Sequence, residues 1–234
     1  MTTTYNATVD QLINGALRMI GVVAQGESAT ATQLSEAAEA LNMMVKALEA
    51  DGMPLWGLVE YSMTMTASQT KYQLGTTKAI AIAKPLKIIQ AWNRTTSTNV
   101  DVPMRILTKQ EYNVLGNKAT EGSPIQLYYN PQLDYGELQL FPTPDATTAT
   151  NNTIYLVYQR PFNDVATGAG YTDFPQEWLE ALKYGLAVRL APEYGVDGDS
   201  RKFLLQEYQA AKTTALSFGT EEGSIYFTRD SRSW

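Results

Sequence analysis

Apolar residues recur every three or four places at the start of the chain, every second place through its middle, and every three or four places again toward its end. Thr8 and Gln11 match a capping box, and Val9, Leu12, Ile13, Ala16, Leu17 and Ile20 keep helical spacing until Gly21 stops it. After a polar loop from Gln25 to Ala29, Thr30 and Gln33 offer a second capping box. Leu34, Ala38, Leu41, Val45 and Leu48 then form one stripe, and Asp51-Gly52 ends the helix. Each helix has a single apolar stripe, so the antiparallel pair still needs partners.

Met53-Pro54-Leu55-Trp56-Gly57 breaks that pattern and the period drops to two. Tyr61, Met63 and Met65 alternate with polar residues, as do Tyr72 and Leu74, while Leu86, Ile88 and Trp92 are expected on one face. Leu127 with Tyr129, Leu138 with Leu140, and Ile154 with Leu156 and Tyr158 continue the series. Asn130-Pro131 and Phe141-Pro142-Thr143-Pro144-Asp145 separate these runs, as expected of an antiparallel sandwich or barrel-like sheet. In this region only Thr108 to Leu115, with a capping box of Thr108 and Glu111, reads as a short helix.

Helical spacing returns after Gly168-Ala169-Gly170. Pro175 stands at a first turn, with Glu177 and Glu180 near the positive end of the dipole; Trp178, Leu179, Leu182, Leu186 and Leu190 form the stripe. Pro192 and Gly195 close it. A last helix starts near Asp199, with Leu204, Tyr208, Ala211 and Ala215 on one face. The pattern predicts an α+β chain. Residues 1–56 and 166–218 form a discontinuous helical bundle, residues 57–165 an inserted antiparallel β-rich domain, and residues 219–234 an extended C-terminal arm.

Composition narrows the chemistry. Cysteine and histidine are both absent, which removes disulfides, thiol nucleophiles, histidine-based triads and structural zinc. No cofactor is expected. No apolar run approaches the roughly 18 residues of a membrane helix, and the start of the chain lacks the basic and apolar regions of a signal peptide. The net charge of −6 is uneven: residues 1–56 carry 2 basic and 6 acidic groups, 57–165 carry 9 and 8, and 166–234 carry 7 and 10. Tight nonspecific DNA binding needs clustered lysine and arginine, and such clusters are missing.

Carboxylates are the remaining catalytic option. Glu177 with Glu180, Glu36 with Glu39, and Asp197 with Asp199 lie close in sequence. A glycosidase needs two carboxyls facing each other across a sugar, about 5–9 Å apart. Pairs on one helix more often make a solvated face or complement its dipole. Asp197-Gly198-Asp199 suggests a calcium loop, but Tyr208 stands at the twelfth position where a bidentate glutamate is required, so it reads as a turn. Tyr128, Tyr129, Tyr135 and Phe141 could form a stacking platform; alternation puts Tyr128 and Tyr129 on opposite faces, which favours core plus interface. Gly168-Ala169-Gly170 lacks the third glycine and the strand-to-helix setting of a nucleotide loop and reads as a linker.

The segments ALRMIGV, ALNMMVKALEADGMPLW, GSPIQLYYNPQLDYGELQLFPTPDA and FPQEWLEALKYGLAVRLAPEYG, in this order and spacing, resemble the head-to-tail adaptors of short-tailed bacteriophages. This family is also called packaged-DNA stabilisation or tail tubular A proteins. The resemblance spans most of residues 12–218. It implies a helical domain that oligomerises, commonly as a twelvefold ring beneath the portal protein. That ring closes the exit of the DNA-filled head and gives the tail nozzle protein its platform. Implied partners are the portal, neighbouring adaptor subunits, the tail nozzle, and genomic DNA in transient nonspecific contact. The implied place is the virion's head–tail junction, with the host cytoplasm during assembly.

The family's C-terminal segment commonly reaches up against the portal, a role that would fall here to residues 219–234. Ile225, Tyr226, Phe227 and Trp234 put large apolar groups in a segment too short for its own core, with Arg229 and Arg232 beside them. Aromatics and arginines are favoured at interface hot spots, so these six residues form the expected partner-binding arm. The plainer reading is a frayed terminus or an aromatic patch folded back on the bundle. Two other functions compete: a lytic glycoside hydrolase using two carboxylates, and a β-rich tail or receptor-binding module. The purified chain should not cleave peptidoglycan; cleavage abolished by replacing one carboxylate in a chain that stays folded would contradict the adaptor reading.

Overall fold

The computed structural model describes residues 5–51, 57–168 and 170–218. It divides into two compact units, one holding the described residues up to Val45 and from Asp164 onward, the other Lys46–Asn163.

The helical unit begins with α1 (Val9–Met19), whose Thr8–Gln11 capping box forms as the sequence predicts. In α2 (Ala31–Asp51) the Thr30 hydroxyl accepts from the Gln33 amide while the Gln33 side chain accepts from the Thr30 amide. A 3-10 turn, Gln176–Trp178, leads into α5 (Leu179–Leu190), and α6 spans Gly198–Phe218. α1 buries Val9, Leu12, Ile13, Ala16 and Leu17; Leu12 packs with Ala7 and Leu179.

α5 departs from the single-stripe expectation. Besides Leu179, Leu182, Leu186 and Leu190 it buries Ala181, Gly185 and Ala187, so apolar contact surrounds much of it. The small residues make this possible. A Cβ on Gly185 would lie 2.7 Å from the Met44 sulfur of α2 and 2.8 Å from the Tyr208 ring of α6. A Cβ on Gly15 would lie 3.1 Å from the Lys183 side chain. The N-terminal and C-terminal helices therefore meet around α5. The chain returning to them is tied by side chains: Asn42 donates to the Val165 carbonyl (2.8 Å) and accepts from its amide (2.6 Å), and Asp10 accepts from the Gly168 amide (2.8 Å).

The β unit contains β1 (Leu58–Thr64), β2 (Lys71–Leu74), β3 (Lys87–Thr95), β4 (Val100–Pro103), β5 (Arg105–Leu107), α3 (Lys109–Val114), β6 (Glu121–Gly122), β7 (Gln126–Pro131), β8 (Gly136–Phe141), β9 (Thr143–Pro144), α4 (Ala146–Asn151) and β10 (Asn152–Gln159). Two four-stranded sheets run in the orders β1-β10-β3-β4 and β2-β8-β7-β5. They share one core, with Met63, Ile88, Ile154 and Leu156 from the first sheet and Tyr72, Leu74, Leu127, Leu138 and Leu140 from the second. This is a sandwich, and most pairings are antiparallel. The exceptions are β5 with β7 and the two-stranded β6–β9, both parallel.

Three local readings need correction. Trp92 does not share a face with Ile88. The β3–β10 register shifts between Val157 and Tyr158, so Val157 pairs with Gln90 and Tyr158 with Ile88. That extra residue turns Ala91 and Asn93 inward and Trp92 outward. Buried Asn93 is satisfied by Ser123, the Pro124 carbonyl and Asn152. Leu86, expected beside Ile88, is only half-buried. A second short helix, α4, also follows the proline cluster; the Asp145 carboxylate caps it by accepting from the Thr148 amide at 2.7 Å.

Gly136 lies under the Tyr129 ring, where a Cβ would run into the ring atoms. Gly136→Ala should therefore cost about 1–3 kcal/mol through overpacking. Calorimetry would show this as a lowered melting transition, and an unchanged one would contradict the packing. Burial also pushes the hydroxyls of Tyr72, Tyr129 and Tyr158 above the ordinary tyrosine value of 10.0. Above that pH the unfolded chain loses protons that the folded chain keeps. This contribution to stability is present below pH 10 and is lost as pH rises past it. Thermal melts and tyrosinate absorbance between pH 8 and about 11 would check this; tyrosines that all ionise together near pH 10 in the folded chain would contradict it.

Candidate functional site

The carboxylate pairs singled out in the sequence stand at the surface of the helical unit. Glu36 and Glu39 are exposed on α2, and Glu177 and Glu180 are exposed at the start of α5. Asp197 is a helix cap: it accepts from the amides of Asp199 (3.0 Å) and Ser200 (2.9 Å). The Ser200 side-chain and backbone hydrogen bonds hold its carboxyl below the usual range. The amides of Thr148 at Asp145 and of Thr108 at Glu111 do the same, helped by the threonine hydroxyls. The shifted acids stabilise helix starts, where ionised carboxylates satisfy amides that have no helical partner. Among the described residues, no group of His, Cys, Asp or Glu could hold a metal ion, and no helix is long and apolar enough to cross a membrane.

The tyrosine run is divided between two faces of its sheet. The Tyr129 hydroxyl donates to the Pro85 carbonyl and its ring packs on the shared core. Tyr128 turns the other way, stacking on Tyr112 at 5.4 Å in a cluster with Leu107 and Phe141. Tyr135 lies beneath the Lys78 ammonium at 4.8 Å. These rings are therefore committed to the fold, and no continuous platform for sugars or bases results.

The outer face of the first sheet carries an aromatic stack that the sequence pattern did not reveal. Trp92 and Tyr155 pair across β3 and β10 with nearly parallel rings 5.5 Å apart, and the Arg94 guanidinium covers Tyr155 at 4.5 Å. Arg94 also binds Asp101 through two hydrogen bonds of 2.6 and 2.7 Å. That bond holds the Asp101 carboxyl below its usual range. The missing signal was the bulge, because strict alternation assigns Trp92 to the core.

The more extensive exposed apolar surface is helical. α6 has 21 residues and, among those described, buries only Leu204 and Ala215. Phe203 is 58% exposed and Phe218 73%, while Leu205 and Leu216 also face solvent. The six expected arm residues, Ile225, Tyr226, Phe227, Arg229, Arg232 and Trp234, lie outside the described residues.

Comparison with known proteins agrees with the resemblance seen in the sequence. A search of curated proteins returned no match. A family model described as SU10 adaptor protein matches residues 7–226 and so takes in both compact units. With a match over most of its length, the chain belongs to the SU10 adaptor protein family, a family of structural bacteriophage proteins.

Proposed function

We propose that this chain is a head-to-tail adaptor subunit that assembles as a ring beneath the portal, retains packaged DNA and offers the tail its platform. The observation that carries the reading is the match to the SU10 adaptor family over residues 7–226. Its partners would be the portal protein, neighbouring copies in a ring, the tail nozzle protein and, transiently, the genomic DNA in the lumen. It would act at the head–tail junction of the virion after assembly in the host cytoplasm.

Two physical features support this reading. α6 leaves Phe203, Leu205, Leu216 and Phe218 at the surface, as a subunit that becomes covered on assembly would. The net charge of −6, with basic groups scattered along the chain, suits a channel through which DNA must slide, because clustered cations would clamp the phosphates.

Within this reading residues 219–234 are the portal-binding arm, with Ile225, Tyr226, Phe227 and Trp234 as apolar anchors and Arg229 and Arg232 as polar contacts. Repeated around a ring, modest contacts of this kind add up to firm attachment. Deleting residues 219–234 should shift the melting temperature by no more than about 2 °C while abolishing attachment to portal-bearing heads. Normal attachment of the truncated chain, or its failure to fold, would contradict the assignment.

A further inference from the structure

The β unit carries an apolar knob at the tip of its β7–β8 hairpin and an apolar socket beside β3 and β4. Leu133, at the tip, is 91% exposed. A lone exposed leucine is ordinary on a protein surface, but the turn that carries this one is tied down. The Gln132 amide donates to the Tyr135 carbonyl at 2.8 Å, and the Lys84 ammonium donates to the carbonyls of Gln132 (2.7 Å) and Leu133 (3.1 Å). The Lys78 ammonium covers the Tyr135 ring, and a Cβ on Gly75 would lie 3.4 Å from Tyr135. Asp134, next to Leu133, is exposed and makes no ion pair with a described residue. The socket is a cavity of about 620 Å³ with an apolar wall of Ile89, Trp92, Pro103, Met104 and Ile106. Ile89, the extra residue at the β3 bulge, stays 38% exposed. The Trp92 indole Nε1 is buried without a hydrogen-bond partner among the described residues. Lys87, two residues before Ile89, is exposed and also makes no ion pair with a described residue.

We propose that Leu133 of one copy enters the socket of the next copy, with Asp134 turned toward that copy's Lys87. The inference rests on the ring reading above and adds to it the surfaces used. The knob does not serve its own socket. Ile106 of the socket pairs with Leu127 near the start of β7, whereas Leu133 lies beyond the strand's end at Pro131. From Leu127 to Pro131 is four residues of strand, about 13 Å. A closed ring of more than two identical subunits requires a heterologous contact, in which two different patches of each subunit complement one another. A knob and a socket set apart on one compact unit meet that requirement. Their chemistry also matches: an apolar tip beside an unpaired anion faces an apolar cavity beside an unpaired cation. Tip against tip would instead set Asp134 against Asp134. A turn already held in place loses little freedom on docking, and a carbonyl arriving with it would give Trp92 Nε1 its missing acceptor.

The test is cross-linking in the full-length chain, which has no cysteine, so introduced thiols are the only ones present. Leu133→Cys and Ile89→Cys are combined in one chain, assembled, and treated with a short bis-maleimide. A denaturing gel should show a ladder of covalent multimers, because each copy is joined to the next through unlike positions. Each single-cysteine variant should give nothing larger than a dimer. Leu133→Cys combined with Val114→Cys, which puts the second thiol at another exposed site of the β unit, should give no ladder. Independently, Leu133→Ser should need at least about tenfold more protein to assemble than the unaltered chain, with an unchanged circular dichroism melt. Assembly is read by sedimentation and by electron microscopy, for the free chain and on tail-less heads that bear portal.

The proposal is overturned if the assembled double-cysteine chain gives no ladder, if the Val114 pair gives an equal one, or if Leu133→Ser assembles like the unaltered chain. It is also overturned if Leu133→Ser self-associates normally but no longer attaches to heads, since the tip would then belong to the portal. Absence of self-association by the unaltered chain, both free and on heads, would defeat the ring reading itself and this contact with it.

Discussion

The fold depends on a close approach of helices drawn from the two ends of the sequence. At Gly185, α5 has no side chain, and Met44 of α2 and Tyr208 of α6 fill the space beside it. Any larger residue would hold one of them off, and the N-terminal and C-terminal helices would lose their common packing centre. Bringing the two ends of the chain together carries an entropic cost that rises with the logarithm of the intervening length. Within the β unit, β1 and β10 pair antiparallel with Leu58 opposite Gln159. Leu58 and Gln159 thus lie one strand spacing apart, roughly 5 Å. The Asn42–Val165 and Asp10–Gly168 bonds then fix the returning chain to the helices.

Local rules recovered most of this from sequence. The capping boxes at Thr8, Thr30 and Thr108 all form, and the alternating stripes of β1, β2, β8 and β10 face the core as expected. Such features depend on residues three or four apart, or two apart, so no tertiary knowledge is needed. The failures have a different origin. The bulge in β3 is defined by its partner strand, and no residue within β3 announces it; the face of Trp92 was therefore misassigned. The parallel pairings of β5 and β9 arise between distant segments in the same way. α4 hid behind a proline cluster, although Asp145 followed by a threonine-rich run was a readable capping signal. The many-sided burial of α5 could have been suspected from Ala181, Gly185 and Ala187.

Function was legible only in part for a related reason. The absence of histidine and cysteine narrowed the chemistry at once, and the structure gives the shifted carboxylates of Asp145, Asp197 and Glu111 to helix caps. A structural protein, however, carries no motif comparable to a catalytic triad. Its information lies in which surfaces stay uncovered, and that depends on the packed fold. The exposure of Leu205 and Leu216 beside buried Leu204 and Ala215 cannot be inferred from α6 alone, where apolar residues fall on several sides.

A head-to-tail adaptor would stand between the portal and the tail. A localised electron-microscopic reconstruction of the head–tail junction of complete virions tests that most directly. It should reveal a ring of copies of this chain seated directly beneath the portal, with its helices traceable at α2 and α6. A junction in which portal and tail meet without it, or density for this chain elsewhere in the particle, would contradict the account.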